Sequence, residues 1–398
     1  MAISRRDVML GSAGAVGAAA FSFPKPAIAQ SEPIKIGWLA AMTGPSSAPT
    51  IGFNRGVVFA ADAINAAGGV KGRKIEIITR DTQGDPTKAV NATQELISQA
   101  KVHAIWGPVN SGEALATTPI MARAKMPDIH PCVVESLIDT AKFPNAFRMA
   151  PSNSQWDDAV RNYCLKVLKV KKIAVIGDTT GYGVTATGAS VAAFKKDGAD
   201  VVYQANIDAT QPDMTPDMLR ARNAGAEVIV VWSVTTGMDA RMFNTRAAMK
   251  WDVAFVGHPS LASGEIAGLV EKPENWKKVY AIGYKSVSYD AAGTLPPKTK
   301  DLVARLAKAN VAMNDTLMWW IAGGIDAIEL IAKAVAESGS TESEGIVKYW
   351  NTLTKYPGYF GDYTFTPTQH NGYPTDEIVM SEASTARNGT FALAPGYS

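Results

Sequence analysis

Apolar positions along the chain switch repeatedly between the period of a strand and that of a helix. Residues 34–41 form a short apolar run, 53–66 repeat at helical spacing and end at Gly68-Gly69, and 74–82 alternate as a strand. Asp85-Pro86 is a helix start, with Asp placed to cap free N–H groups and Pro preset at the first helical position; that helix runs to about Gln99. Strands follow over 102–106 and 128–133, with a helix over 111–124 between them. This alternation predicts right-handed βαβ crossovers and a mostly parallel sheet with helices on both faces.

The rhythm restarts after 147–152. Helices are expected over 155–168, 184–196, 216–223 and 238–249, interleaved with strands over 172–178, 200–207, 228–233 and 253–257. Residues 279–290 are again strand-like, and helices follow over 298–309, 316–337 and 342–353. The tail from 356 is rich in Gly, Pro and Tyr, with a strand-like 362–365. The fold class is α/β, two doubly wound lobes. A first lobe with so few strands gains by recovering the later helices. Lobe one is therefore expected to comprise 33–150 plus 283–357, and lobe two 151–282 plus 358–398, joined by a three-strand hinge around a ligand cleft.

Length agrees with two cores, since 398 residues exceed what one core usually supports. The N-terminus is set apart from the rest. Ser4-Arg5-Arg6-Asp7 precedes a weakly apolar run, 8–23, and Ala27-Ile28-Ala29 offers a small-x-small cleavage site, so residues 1–29 read as a signal peptide for export to the periplasm. The run is shorter than the roughly 20 residues of a membrane span. The arginine pair is similar to a twin-arginine signal, but Val8 stands where a bulky Phe is preferred, which leaves the Sec route open. Lys+Arg number 39 and Asp+Glu 37; setting aside Arg5, Arg6, Lys25 and Asp7 of the leader leaves 36 of each. Such balance gives no long-range attraction for nucleic acid or an acidic membrane. Two cysteines, Cys132 and Cys164, and four scattered histidines provide neither a disulfide framework nor metal-ligand spacing, and no cofactor is expected.

Several segments in order carry a family pattern: Ile36-Gly37 through Met42-Thr43-Gly44-Pro45, Ala61-Asp62-Ala63-Ile64-Asn65 through Gly72-Arg73, Asp81 with Asp85-Pro86-Thr87-Lys88-Ala89, and Ile173-Ala174-Val175-Ile176 with Gly181-Tyr182-Gly183. Over residues 33–390 the chain resembles the leucine/isoleucine/valine-binding family of periplasmic solute-binding proteins, the capture subunits of ABC importers. The resemblance implies the type I periplasmic binding protein fold with its three-crossover hinge, a small-molecule carboxylate or amino acid as ligand, and a membrane permease as partner. A monomer is expected.

Site candidates follow from strand ends and helix starts, where ligands of open parallel sheets bind. The strand 102–106 delivers the chain to Asn110, Ser111 and Gly112, whose hydroxyl and backbone N–H groups suit an anion; the alternative is that Ser111 merely caps its helix. The resemblance places Ser111 at the ligand carboxylate, Cys132, Val133 and Val134 on the neighbouring wall, and Tyr182 over the ligand. Family members that bind α-amino acids carry an acidic residue where Pro259 stands here; Val134 replaces a frequent hydroxyl residue and Val234, beside Thr235, a frequent tyrosine. An enclosed ammonium without a counter-charge costs several kcal/mol, more than the roughly 1 kcal/mol of one hydrogen bond. The expected ligand is therefore a carboxylate with an apolar or aromatic body and no free α-ammonium. Trp320 offers a stacking face, or else packs in the core under the sheet. Glu265 or Asp239 could still supply the missing charge, which keeps branched-chain and other amino acids as the alternative, with a ligand sensor as a second.

Enzyme motifs are absent from the sequence: no G-x-S-x-G elbow, Walker A loop or G-x-G-x-x-G is found. Cys132 lacks a predicted His partner and reads as a packed or pocket-lining thiol, and 177–183 as a pocket rim. The mechanism expected is hinge closure, with Tyr182 and the loop 234–236 closing over a ligand held by lobe one.

Overall fold

The structure is a computed structural model, and it describes residues 32–397; the signal peptide expected over 1–29 lies outside them. Two sheets organise the chain. The first is wholly parallel and made of β1 (Ile34–Ala40), β2 (Ile75–Asp81), β3 (Ala104–Trp106), β4 (Asp128–His130) and β5 (Ala146–Arg148), in spatial order 2-1-3-4-5. Helices α1 (Ser47–Ala66), α2 (Pro86–Glu95) and α3 (Ser111–Arg123) connect its strands. Asp85 caps α2 by accepting from the Lys88 N–H, as Asp-Pro requires.

Helix α4 (Asn153–Asn162) opens the second half, closed at its start by a capping box between Ser152 and Gln155. Five parallel strands follow: β6 (Lys172–Asp178), β7 (Asp200–Ile207), β8 (Val228–Trp232), β9 (Ala254–Gly257) and β10 (Val279–Tyr284). Their crossovers are α5 (Gly181–Lys196), α6 (Thr215–Asn223) and α7 (Thr236–Ala248). The strand Ile378–Glu382 closes this sheet's edge, antiparallel to β10. Between β10 and that strand run α8 (Pro297–Lys308), α9 (Met318–Ser338) and α10 (Ser343–Trp350). Helix α9 is buried along most of its length and lies directly on α1. Glycines permit that approach: a Cβ on Gly56 would meet the Ile321 carbonyl, and one on Gly324 the Phe53 carbonyl.

The chain thus passes between the two sheets three times: after β5, after β10 and before Ile378–Glu382. Two expected boundaries differ. Residues 283–284 are the last of β10 and pair within the second sheet. Residues 358–373, expected with lobe two, attach to lobe one instead. Asp326 of α9 accepts from the Tyr359 and Phe360 N–H groups and the Tyr363 hydroxyl, and the His370 ring stacks on Phe147 with centroids 3.8 Å apart. The reason is that β5 is an edge strand. Its Arg148 N–H donates to the His370 carbonyl and the Gly372 N–H to the Arg148 carbonyl, so the segment covers backbone groups that the sheet leaves open.

Candidate functional site

The first sheet hands the chain to α3 through a tight turn. Gly107 sits at φ +88°, and a Cβ there would lie 2.7 Å from the Leu39 carbonyl, so the position requires glycine. Asn110 is the N-cap of α3: its side-chain oxygen accepts from the Gly112 N–H at 2.9 Å while its amide donates to Ser46 Oγ at 3.1 Å. Capping is therefore done by Asn110, and Ser111, one residue on, borders a cavity with its side chain next to the Cys132 thiol.

That cavity is a narrow space between the two sheets, with a free volume of about 40 Å³, well below the roughly 300–1,000 Å³ usual for small-molecule sites, so a ligand enters only as the halves part. The first-sheet side supplies Val109, Asn110 and Ser111 at the start of α3, Pro131 and Val133 after β4, Pro49 and Phe53 of α1, and Trp319 and Trp320 of α9. From the second-sheet side come Trp156 of α4, Tyr182 of α5, Val234 after β8 and His258 after β9. No Asp, Glu, Lys or Arg side chain is among these lining residues.

The aromatic walls are mutually braced. Trp319 stands edge-on to Phe53 at 5.4 Å, to Trp156 at 6.4 Å and to Tyr284 at 5.3 Å, and the Trp156 indole N–H donates to the Tyr284 hydroxyl at 2.9 Å. His258 packs against Trp156 and Tyr182 at 5.3 and 5.1 Å. Burial pulls the His258 pKa down to about 3, so the ring is neutral. Its Nδ1 accepts from the Ser260 N–H at 3.1 Å, which puts the ring proton on Nε2. The Trp319 indole N–H and the Tyr182 hydroxyl are buried without a protein partner. The cavity is thus bordered by donors and rings.

Of the residues picked out from sequence, Asn110, Ser111, Val133, Tyr182, Val234 and Trp320 line this space. Gly112 abuts it, its backbone against Gly181. Four others are turned elsewhere. Cys132 donates its thiol to the Pro108 and Val109 carbonyls, and burial pushes its pKa far up, so it stays a protonated packing group. Val134 packs with Ala114 and Leu137. The Thr235 hydroxyl donates to the Pro45 carbonyl at 3.4 Å, and Pro259 begins the turn behind His258. Neither alternative charge enters: Asp239 is wholly buried and accepts from Ser260 Oγ, while Glu265 accepts from Thr236 Oγ1.

Sequence reasoning passed over Pro49, Phe53, Val109, Pro131, Trp156, His258 and Trp319. For His258 a signal existed: His130-Pro131 and His258-Pro259 each stand at a strand end, and each ring accepts from the N–H two residues on, Cys132 at 3.2 Å and Ser260 at 3.1 Å. Among the described residues no group of three or more His, Cys, Asp or Glu could hold a metal ion, and no helix is long and apolar enough to cross a membrane.

Two α/β halves linked by three passages around a cavity between them define a hinged binding protein. The chain belongs to the periplasmic binding protein family, whose model matches residues 33–386. It is 26% identical over 357 residues to the Leu/Ile/Val-binding protein homolog 3 of Brucella melitensis, covering 87% of this chain and 90% of that one. Its fold is similar to the branched-chain amino acid transporter substrate binding protein of Streptococcus pneumoniae in complex with isoleucine (TM-score 0.76, 23% identity, 91% and 99% covered). It is likewise similar to an ABC transporter solute binding protein of Rhodopseudomonas palustris in complex with 4-hydroxybenzoate (TM-score 0.74, 21% identity, 91% and 95% covered). The relatives are solute-binding proteins rather than enzymes, and this chain is of that kind.

Proposed function

We propose that this protein captures a carboxylic acid with an aromatic or apolar body and no free ammonium group, and delivers it in the periplasm to the membrane permease of an ABC importer. One observation carries the choice of ligand: the lining combines aromatic rings and unpaired donors with no carboxylate. An α-ammonium enclosed there would lose its hydration without gaining a counter-ion, at a cost of several kcal/mol. A carboxylate is met instead by the Ser111 hydroxyl and the positive end of α3. The rings of Trp319, Trp320, Phe53 and Trp156 suit a flat apolar body, and the neutral His258 N–H suits an oxygen on that body. The solute-binding protein of R. palustris in complex with 4-hydroxybenzoate shows that the fold accommodates such acids.

Closure supplies the mechanism. Tyr182, Val234 and His258 come from the second sheet and Ser111 and Trp319 from the first, so the ligand is enclosed only when both halves meet. A ligand that touches both sides favours the closed form by its extra contacts there. Calorimetry with benzoate, 4-hydroxybenzoate, leucine and phenylalanine tests the reading. The aromatic acids are expected to bind and leucine not. Tight leucine binding without binding of either aromatic acid overturns it.

A further inference from the structure

Behind the cavity wall lies a buried cation that the proposed closure does not use. Arg148, at the end of β5, is 1% exposed. Its hydrogen bonds go to three neutral oxygens: Nη1 donates to the Val133 and Val134 carbonyls, both at 3.1 Å, and Nε donates to Asn371 Oδ1 at 3.1 Å. No carboxylate is among these partners. Burial lowers its pKa to about 10, which leaves it charged at neutral pH. The acids around it compensate only in part. Burial pushes the pKa of the fully buried Asp128 well up, and it has no hydrogen-bond partner; Glu135 attracts the guanidinium from an exposed position, with no ion pair formed, and accepts from the Ser154 N–H. His130 beside it is neutral. Val133, whose carbonyl Arg148 holds, is itself part of the cavity wall.

A buried charge without a partner is costly unless something balances it. We infer that Arg148 is a specificity-determining positioning residue: its charge, acting across the Val133–Val134 backbone, makes the cavity select a carboxylate over a neutral group of the same shape. The inference rests on the reading that the ligand brings an anion to the start of α3. It holds whether the body of that acid is aromatic or aliphatic.

The test uses acid and amide pairs, benzoate with benzamide and leucine with leucinamide, measured by calorimetry on the full chain. Wild type identifies which acid binds; binding of leucine alone would overturn the proposed aromatic ligand and leave Arg148 to be tested on the leucine pair. Two variants remove the net charge differently. Arg148→Gln keeps a donor for the carbonyls, and Asn371→Asp leaves the guanidinium in place but supplies a carboxylate against its Nε. Each is expected to lower the acid-over-amide preference about tenfold or more while amide affinity stays within about threefold. Arg148→Lys, which keeps the charge, is expected to retain most of the preference. If Arg148→Gln does not fold, Asn371→Asp decides alone. Equal weakening of acid and amide, or an unchanged preference in Asn371→Asp, overturns the inference and reduces Arg148 to a packing role.

Discussion

Gly112 at the start of α3 and Gly181 at the start of α5 touch backbone to backbone across the cleft: a Cβ added to Gly181 would lie 2.7 Å from the Gly112 Cα. Both have ordinary helical geometry, so a side chain at either position strains nothing within its own helix. What it obstructs is the meeting of the two halves. Gly181→Val should therefore leave the melting temperature of the ligand-free protein unchanged within a few degrees, since removing a helical glycine contributes slightly to stability. It should weaken ligand binding about tenfold or more, because the closed form becomes harder to reach. Calorimetry with small-angle scattering checks this: the variant should fail to contract on ligand addition.

Ser111 is free of capping duty because Asn110 performs it. Ser111→Ala should weaken acid binding by about 1–3 kcal/mol, the cost of taking one donor from a charged acceptor. Asn110→Ala should instead lower stability by about 1 kcal/mol through loss of the cap. A titration of the first variant and urea unfolding of the second separate the two roles. An unchanged dissociation constant in Ser111→Ala removes that residue from the site.

Glu113, in the first turn of α3, is fully buried, and its carboxylate oxygens lie near the Thr82 hydroxyl and the Asn110 backbone without a well-formed hydrogen bond to either. Burial is the chief cause that raises its pKa from 4.5 to about 7, opposed in part by Thr82 and the Asn110 backbone, with Asp85 and Asp81 adding weaker repulsion. A carboxyl whose folded pKa exceeds the unfolded one favours the protonated folded state. Its contribution is fully present below pH 4.5 and is lost as pH rises through 7, a change of about 3 kcal/mol. Glu113→Gln should accordingly stabilise the protein by up to about 3 kcal/mol at pH 8 and by almost nothing at pH 4.5. Asp326, also raised to about 7 by burial, contributes in the same direction to both proteins and cancels in the comparison. Urea unfolding at several pH values measures the difference. An anion at the start of α3 should also bind more tightly at pH 6 than at pH 8, and less so in the variant.

His258 stays neutral through the physiological range, so acid binding should show no step from its titration between pH 5 and 8. His258→Phe keeps a ring but removes the Nε2 proton. It should lower affinity for 4-hydroxybenzoate about fivefold or more relative to benzoate, the worth of roughly one hydrogen bond. Equal effects on both acids would mean that the ring only packs.

Much of this architecture is legible in the residues. Strands such as Lys172–Asp178 and Val228–Trp232 are continuous apolar runs because helices cover both faces, and Asp85-Pro86 marks its helix start without ambiguity. The site is less legible, for geometric reasons. After a strand, neighbouring side chains face opposite ways, so a shift of one residue decides between Cys132 and Val133, or between Pro259 and His258. Adjacent helix positions differ by about 100° of rotation, yet Trp319 and Trp320 both reach the cavity, which only the packing of α9 on α1 determines. Apart from the strand-like 362–365, residues 358–373 have no periodicity to read, and their attachment to β5 follows from an unpaired edge that no local pattern announces.

Because Trp156 belongs to one half and Trp319 to the other, their 6.4 Å separation exists only while the halves are together. Two indoles that close couple their electronic transitions, and the coupling fades steeply with distance. The molecule therefore carries an intrinsic optical gauge of its own opening, readable in near-ultraviolet circular dichroism without any attached dye.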